Sequence, residues 1–323
     1  MITETSSNMK TSSPAGCVSC GGTGSRLLGR NPDFPKSGIY RCLKCGYMWS
    51  RPEPTLAELH EVYRAAYRNV RKESPTPDYL EFMDARAKAQ YEFITQTTTS
   101  DFTGTKVLDI GCGAGSLLKI FEEHGAAVTG FEPDIAMSGA ARERLSAAAH
   151  IENAMFVAKE WRGETFDLIC MSHVLEHVPN PVEFLAGLMR TARPGGFLFV
   201  EVPNETRETV RTIYKCEVRG LMHLCFFDAG TLRRVMIGAG WTPLLDMTCG
   251  QNISNWVKTL RRNYSLGWRA VRKLRRILKK AGLVGDAAPP APLKKAWLTE
   301  KNPGGVCLRT ISKSPLQSGP SMF

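Results

Sequence analysis

The chain has no stretch approaching the run of about 20 apolar residues that spans a bilayer, so a helical membrane protein is not expected. Its first residues, Met1 to Ser13, are polar and lack the apolar core of a secretory leader, which points to a cytoplasmic setting. Cysteine is not scarce, but it lacks the spacing of a secreted disulfide framework. Of ten cysteines, four form two C-x2-C pairs and six stand singly, the pattern of a metal site plus reduced core thiols. Acid is missing between Lys258 and Lys280, where ten Lys or Arg occur. That segment supplies most of the net charge of +11, so the excess belongs to one element rather than to the whole surface.

The stretch around which the chain is organised is Val107-Leu108-Asp109-Ile110-Gly111-Cys112-Gly113-Ala114-Gly115. Apolar residues and an acid run into glycines at alternate positions, and the helical pattern Leu117, Leu118, Ile120, Phe121 follows. This reads as a buried strand, a tight turn and a helix start whose free N–H groups face a ligand. A dinucleotide fingerprint lacks its third glycine, because Ser116 stands there. Asp109 at the mouth of the strand would repel a pyrophosphate and suits a cationic or hydroxyl-rich ligand.

Two knuckles, Cys17-Val18-Ser19-Cys20-Gly21 and Cys42-Leu43-Lys44-Cys45-Gly46, lie ahead of this stretch. Each places two thiolates on one turn, and together they read as a four-thiolate zinc ribbon with Cys17, Cys20, Cys42 and Cys45 as ligands. Thr55-Leu56-Ala57-Glu58 carries a capping-box pattern and opens a helix, and a second helix is expected from Asp78. From Lys106 strand and helix alternate, as a parallel sheet requires. Strands are expected at Val107–Ile110, Ala127–Phe131, Ala154–Val157, Phe166–Met171, Phe197–Val202 and Trp241–Met247, with a late last strand at Gly305–Lys313. Helices are expected at Ala136–Ala149, Val182–Thr191 and Ala229–Ala239, with a turn at Arg193–Gly196.

The acid–GxGxG stretch resembles motif I of the class I S-adenosylmethionine-dependent methyltransferases. Phe166-Asp167-Leu168-Ile169 through Val174-Leu175-Glu176-His177, closed by Asn180-Pro181, and the Arg193-Pro194-Gly195-Gly196 turn resemble that family's later motifs. The ribbon resembles the N-terminal module of a subset of bacterial small-molecule methyltransferases. The resemblance implies an α/β, Rossmann-like seven-stranded methyltransferase sheet with helices on both faces, an N-terminal zinc ribbon and a helical insertion before the last strand. The expected division is a disordered tail at 1–15, ribbon at 16–54, helical linker or lid at 55–100, methyltransferase domain at 101–313 with a basic insertion at 251–300, and a tail at 314–323.

It also implies S-adenosylmethionine (SAM) as cofactor, beside structural zinc. Asp109, Gly111, Gly113 and Gly115 would hold its methionine part. Glu132, at the end of the second strand, would take the ribose hydroxyls and Glu160 the adenine amine, with Ser172 as a further cofactor-binding residue. Asp134 is a weaker candidate and equally suited to cap the next helix.

The acceptor side is less determined. The chain lacks the [ND]PP[YF] loop used to methylate exocyclic amines of bases. Met222-His223-Leu224-Cys225-Phe226-Phe227 resembles a segment of sugar C-methyltransferases in which His serves as base; His223 is then the base, with His177 as second choice. The family often has Glu before that His, and here Met222 takes its place, which leaves the deprotonating pair incomplete. A core histidine satisfied within its turn is an equal reading of His223. His173, Glu176 and His177 match a loop that resembles the Mg2+ site of quinone-pathway relatives.

Trp268, Val271, Leu274 and Leu278 share one face of a basic amphipathic segment. It suits an anionic membrane surface or an acidic polymer, RNA included, or packs on the core with a solvated basic face. The reading that follows is methylation of O or C on a small molecule, such as a saccharide or lipid-linked metabolite, in the cytoplasm or at the membrane periphery. The alternatives are an RNA-binding or RNA-modifying methyltransferase using ribbon and basic helix, and a SAM-binding scaffold without catalysis.

Overall fold

The strand Lys106–Ile110 is buried because it lies near the middle of a seven-stranded sheet, with Val107 and Leu108 wholly enclosed. The computed structural model describes residues 16–55, 57–59, 75–158, 160–250 and 306–315. Numbered in chain order, the first three strands are β1 (Ser25–Arg30), β2 (Gly38–Cys42) and β3 (Met48–Arg51), followed by helix α1 (Pro77–Ile94). The alternating part runs β4 (Lys106–Ile110), α2 (Ser116–Glu123), β5 (Ala127–Phe131), α3 (Ile135–Arg144), β6 (His150–Glu152), β7 (Phe166–Ser172), a 3-10 turn (Leu175–His177), α4 (Pro181–Leu188) and β8 (Ala192–Pro203). It closes with α5 (Arg207–Lys215), β9 (Cys225–Phe226), α6 (Ala229–Gly238), β10 (Thr242–Gly250) and β11 (Val306–Lys313).

The large sheet has the order β10-β11-β8-β7-β4-β5-β6. Strands β8, β7, β4, β5 and β6 are mutually parallel, and β11 runs antiparallel between β8 and β10. This is the expected Rossmann-like methyltransferase sheet. The chain leaves β4 for β5 on one side and later returns to β7 on the other. A crevice therefore opens at the carboxyl ends of β4 and β7, where open α/β sheets bind ligands. One apolar cluster, with Phe93, Phe121 and Phe199, fills one side of the sheet. A second gathers Leu175, Val200, Leu185 and Trp241 with Phe34, Tyr47 and Trp49 from the N-terminal module, so the module shares the core.

The N-terminal sheet is not closed on itself. Its order is β1-β2-β3-β9, and the last member comes from the far half of the chain, with Met48 facing Phe226 and Trp49 facing Cys225.

Several expected bounds need correction. The third strand lies at His150–Glu152, paired with Thr129–Phe131, and not at 154–157. Met155 and Val157 have strand propensity but are half exposed, while Phe156 turns inward. The Ala-rich helix stops at Arg144, because Leu145 adopts an extended conformation and Ser146 bonds the Glu122 carboxylate. Strand β8 begins at Ala192 and absorbs Arg193–Gly196 in a register shift against β7, so no separate turn is needed. Helix α5 was not anticipated; Thr206 caps it and Val210 and Ile213 anchor its buried side. The second helix is capped by Thr76, with Pro77 in its first turn, so it starts ahead of Asp78. The capping box forms as expected, with Glu58 accepting from Thr55 and Thr55 from the Glu58 amide. The tail 1–15, most of the helix expected after Thr55, Lys159, the basic segment 258–280, the hinge at 287–292 and most of the C-terminal tail lie outside the described residues.

Candidate active site

The residues expected to hold the cofactor gather at the end of β4. Gly111, Gly113 and Gly115 all take positive φ, at 75°, 55° and 75°. At Gly111 a Cβ would come within 2.6 Å of the Val174 side chain, so the turn and the loop after β7 touch only because that position is bare. At Gly113 a Cβ would meet only the Met137 side chain, at an ordinary contact distance of 3.5 Å. Glu132, just past β5, is buried. Its Oε2 accepts from the Gly113 amide at 2.9 Å and its Oε1 from the Asp134 amide at 2.9 Å. The carboxylate expected for the ribose is thus fixed against the glycine turn. Asp134 is the cap of α3, accepting from Ala136 and Met137, which selects that reading of it.

Asp109 is buried and titrates far from an ordinary carboxylate. Burial and then the nearby Glu132 charge push it up to about 8, against the pull of Arg86. A carboxyl held near neutrality in this way exchanges its proton for a cation at little cost. Glu160 is exposed, on the turn beyond β6. The neighbouring Trp161 packs with Phe131, Phe156 and Phe166.

Ser172 ends β7 and sits in a buried charge network. Its Oγ accepts from Arg86 Nη2 at 2.6 Å and from Gln90 Nε2 at 2.9 Å. Arg86 Nε also donates to Glu201 Oε1 at 2.9 Å, and Arg309 pairs with the other oxygen of Glu201. Burial works against the Glu201 charge, but His173, Arg86 and Arg309 outweigh it and hold its carboxyl well below the usual range. Arg86 comes from α1, so this helix is pinned over the ends of β7 and β8. The sequence reading missed Arg86. Its signal was a basic residue one turn before Gln90 on the inward side of a helix, where an apolar residue is the rule.

Beyond β7 five ionisable groups gather: His173, Glu176, His177, Glu205 and His223. His173 follows β7 with a φ of 55°, uncommon for a residue with a side chain. Its Nδ1 lies 3.2 Å from Glu176 Oε1. Burial opposes the His173 charge, yet bonds to Cys307, Glu176 and Glu201 raise its pKa well above the ordinary value. His177 Nδ1 is 3.0 Å from the Met222 carbonyl, so that nitrogen carries the proton and Nε2 is the basic one. Burial lowers the His177 pKa to about 4. The His177 and His223 rings meet edge to face at 5.1 Å.

His223 Nδ1 lies 2.8 Å from Glu205 Oε1. Burial opposes its charge, but Glu205 outweighs burial and raises its pKa. The pair expected to be incomplete therefore has a carboxylate, supplied from the loop after β8 in place of the residue before His223. Glu205 stands two residues beyond Pro203 at a strand end, the position class in which active-site acids sit; that was the available signal. Glu176, His177 and His223 also bring ligand-type atoms within 4.8 Å of one another.

The four cysteines expected at the ribbon converge as well, with all four sulfurs within 4.8 Å. Cys17 and Cys45, and Cys20 and Cys42, stand 3.6 Å apart. A tetrahedron of Zn–S bonds of about 2.3 Å has an edge of about 3.8 Å, so the set fits one ion. Gly21 and Gly46 take positive φ after each pair, as a knuckle turn requires.

A parallel sheet with one antiparallel late strand, a glycine turn at its switch point and an acid at the end of the next strand defines a class I SAM-dependent methyltransferase. The chain belongs to this family: the methyltransferase-domain family model matches residues 79–246, more than half of the chain. Ubiquinone biosynthesis O-methyltransferase of Pasteurella multocida is 35% identical over 117 residues, covering 32% of this chain and 48% of that protein. The Rhizobium leguminosarum protein of the same name is 37% identical over 106 residues, covering 32% and 42%. The chain thus spans about half the length of the curated relatives it matches. Among solved structures, a Bacillus halodurans protein assigned as a methyltransferase superposes with a TM-score of 0.50 at 13% identity, covering 70% of this chain and 99% of its own. A Galdieria sulphuraria protein assigned as a sarcosine dimethylglycine methyltransferase gives 0.52 at 14%, covering 71% and 84%. These two likenesses concern the fold. Among the described residues no helix is long and apolar enough to cross a membrane.

Proposed function

We propose that this chain methylates a hydroxyl oxygen of a small molecule, with SAM as donor. The observation that supports it is the placement of two different chemistries at the ends of neighbouring strands. A glycine cradle with Glu132 and Asp109 lies on the β4–β5 side, and a histidine pair backed by Glu205 lies beyond β7. Relatives named as O-methyltransferases favour oxygen over carbon.

The donor residues fit the cofactor. Gly113 leaves space a Cβ would fill, Glu132 offers a carboxylate oriented by backbone amides, and Asp109 can ionise opposite an ammonium or sulfonium. Glu160 for the adenine amine, and Ser172 with Arg86 at the floor of the cleft, complete the set. When bound there, SAM supplies an electrophilic methyl carbon on sulfur. His223 Nε2 would take the proton of the acceptor hydroxyl and so free that oxygen to receive the methyl group. Glu205 fixes the His223 tautomer and stabilises the imidazolium that forms. His177, kept neutral by burial, is the poorer base and shapes the pocket.

The four thiolates hold a structural zinc in this reading, and residues 16–54, 55–100 and 101–313 act as ribbon, lid and catalytic domain. A saccharide or lipid-linked acceptor, and a membrane-surface or acidic-polymer contact through 258–280 in a cytoplasmic setting, are parts of the same proposal. Screening catechols, nucleotide sugars and RNA for S-adenosylhomocysteine release tests it. Release with a catechol or sugar that ceases in Glu132→Ala is the expected result; turnover with RNA alone would overturn it.

A further inference from the structure

The segment Gly220–Phe226 carries His223, and its backbone also holds His177. One side of this segment is bonded to the N-terminal module along its length. Asp33 Oδ1 accepts from the Gly220 amide and its Oδ2 from the Met222 amide, each at 2.7 Å. Asn31 Nδ2 donates to the His223 carbonyl at 2.9 Å and to Ser50 Oγ at 2.8 Å. The Ser50 amide donates to the Leu224 carbonyl at 2.7 Å, and the β3–β9 pairing continues from there.

These bonds do more than join two domains. Gly220 and Met222 have φ of 86° and 57°, and the second is costly for a residue with a side chain. A carboxylate that accepts from both amides supplies charge-assisted bonds that hold this turn. The Met222 carbonyl in turn receives His177 Nδ1. Asn31 is buried, and its amide is fully used, because Oδ1 accepts from the Asp33 and Phe34 amides. It can move only with its loop. Ring position at His223 and tautomer at His177 therefore both trace to residues 31–33.

We propose that Asn31 and Asp33 are positioning residues for the acceptor-side histidines, so that the N-terminal module is a working part of the catalytic unit. This rests on the reading of His223 and His177 given above. Neither residue belongs to the cysteine cluster or to the donor cleft, and neither would touch the acceptor.

The test is histidine-labelled two-bond 1H–15N NMR of the full chain, with calorimetric binding of S-adenosylhomocysteine as the check on the donor half. The expected wild-type spectra show Nδ1–H at both His177 and His223. In Asp33→Ala, His177 should lose its fixed Nδ1–H signature for the mixed tautomers of a solvated imidazole. In Asn31→Ala the His223 signals should shift. S-adenosylhomocysteine affinity should stay within about two-fold in both, well under the tenfold that 1.4 kcal/mol represents. Asp33→Asn, which keeps the shape and loses one acceptor oxygen, covers the case in which Asp33→Ala does not fold, and it should shift His177 partway. Wild-type histidine spectra in the folded variants would overturn the proposal and leave the base assignment standing. Conversely, a His223→Ala enzyme that methylates catechols at the wild-type rate would overturn the base assignment, while shifted spectra would still show the coupling.

Discussion

Glu205 Oε1 lies 2.8 Å from Nδ1 of His223, and both side chains are buried. The carboxylate raises the imidazole pKa against the pull of burial. A base must be neutral to accept, so turnover should rise as pH climbs through this raised value. In Glu205→Gln the imidazole loses its countercharge. The acid limb of the kcat profile should then move to lower pH, and kcat should fall about 10- to 100-fold, the scale of a lost acid–base contribution. An unmoved limb would remove Glu205 from this role.

Donor binding should depend on Glu132 and Asp109 in different ways. Glu132→Ala should abolish calorimetric binding of both SAM and S-adenosylhomocysteine. Asp109, pushed up to about 8 by burial and Glu132, is mostly protonated at pH 7. Binding of the cationic donor should therefore release a proton, seen as a dependence of the binding enthalpy on buffer ionisation. Asp109→Asn should erase that dependence and weaken SAM about tenfold, or about 1.4 kcal/mol.

The Arg86–Glu201 pair carries a stability prediction. Both charges are largely buried, and removing one partner of such a pair costs about 3–5 kcal/mol. Because Arg309 stays on Glu201, Arg86→Ala should lie at the low end, about 3 kcal/mol by denaturant melts. The pH dependence has two signs. Glu201 is held below the ordinary range, so its contribution is present above the ordinary carboxylate pKa and fades as pH falls toward the lower folded value. His173 is held above its ordinary value, so its contribution is full below that value and fades as pH rises through the higher folded one. Stability should peak between these limits in the wild type and flatten in Glu201→Gln.

The cysteine cluster should bind one zinc per chain by elemental analysis. Burial opposes thiolate at Cys42, but the amides of Cys45 and Lys44 and the neighbouring thiols lower it to about 7, so that site is ready to lose its proton. Cys20→Ser should lose the metal and lower the melting temperature. Full retention of zinc in that variant would move the metal elsewhere.

Much of the sheet was legible because its signals are local. Buried strands such as Phe166–Met171 announce themselves by composition, and the glycine turn by spacing. The third strand was misplaced because Met155 and Val157 favour extended backbone yet face outward, while His150 and Glu152, polar residues at an edge, make the pairs. Of the proposed acceptor site only the histidines were legible. Glu205, Arg86 and Asp33 reach their partners across 18, 115 and 189 residues of sequence, and no local pattern encodes such distances. The Glu that the resemblance sought beside His223 was replaced in space and not in sequence.

Gly250 and Val306 face each other in the last rung of the β10–β11 pairing. The chain leaves the sheet at one and re-enters at the other, at facing positions of two paired strands. Whatever lies between is attached as through a socket, with both leads at one place. Loop-closure entropy grows only slowly with length, so this position can host segments of very different size without disturbing a strand. Evolution could exchange the cargo at this socket while leaving the catalytic sheet untouched, and an engineer could do the same with a two-residue turn.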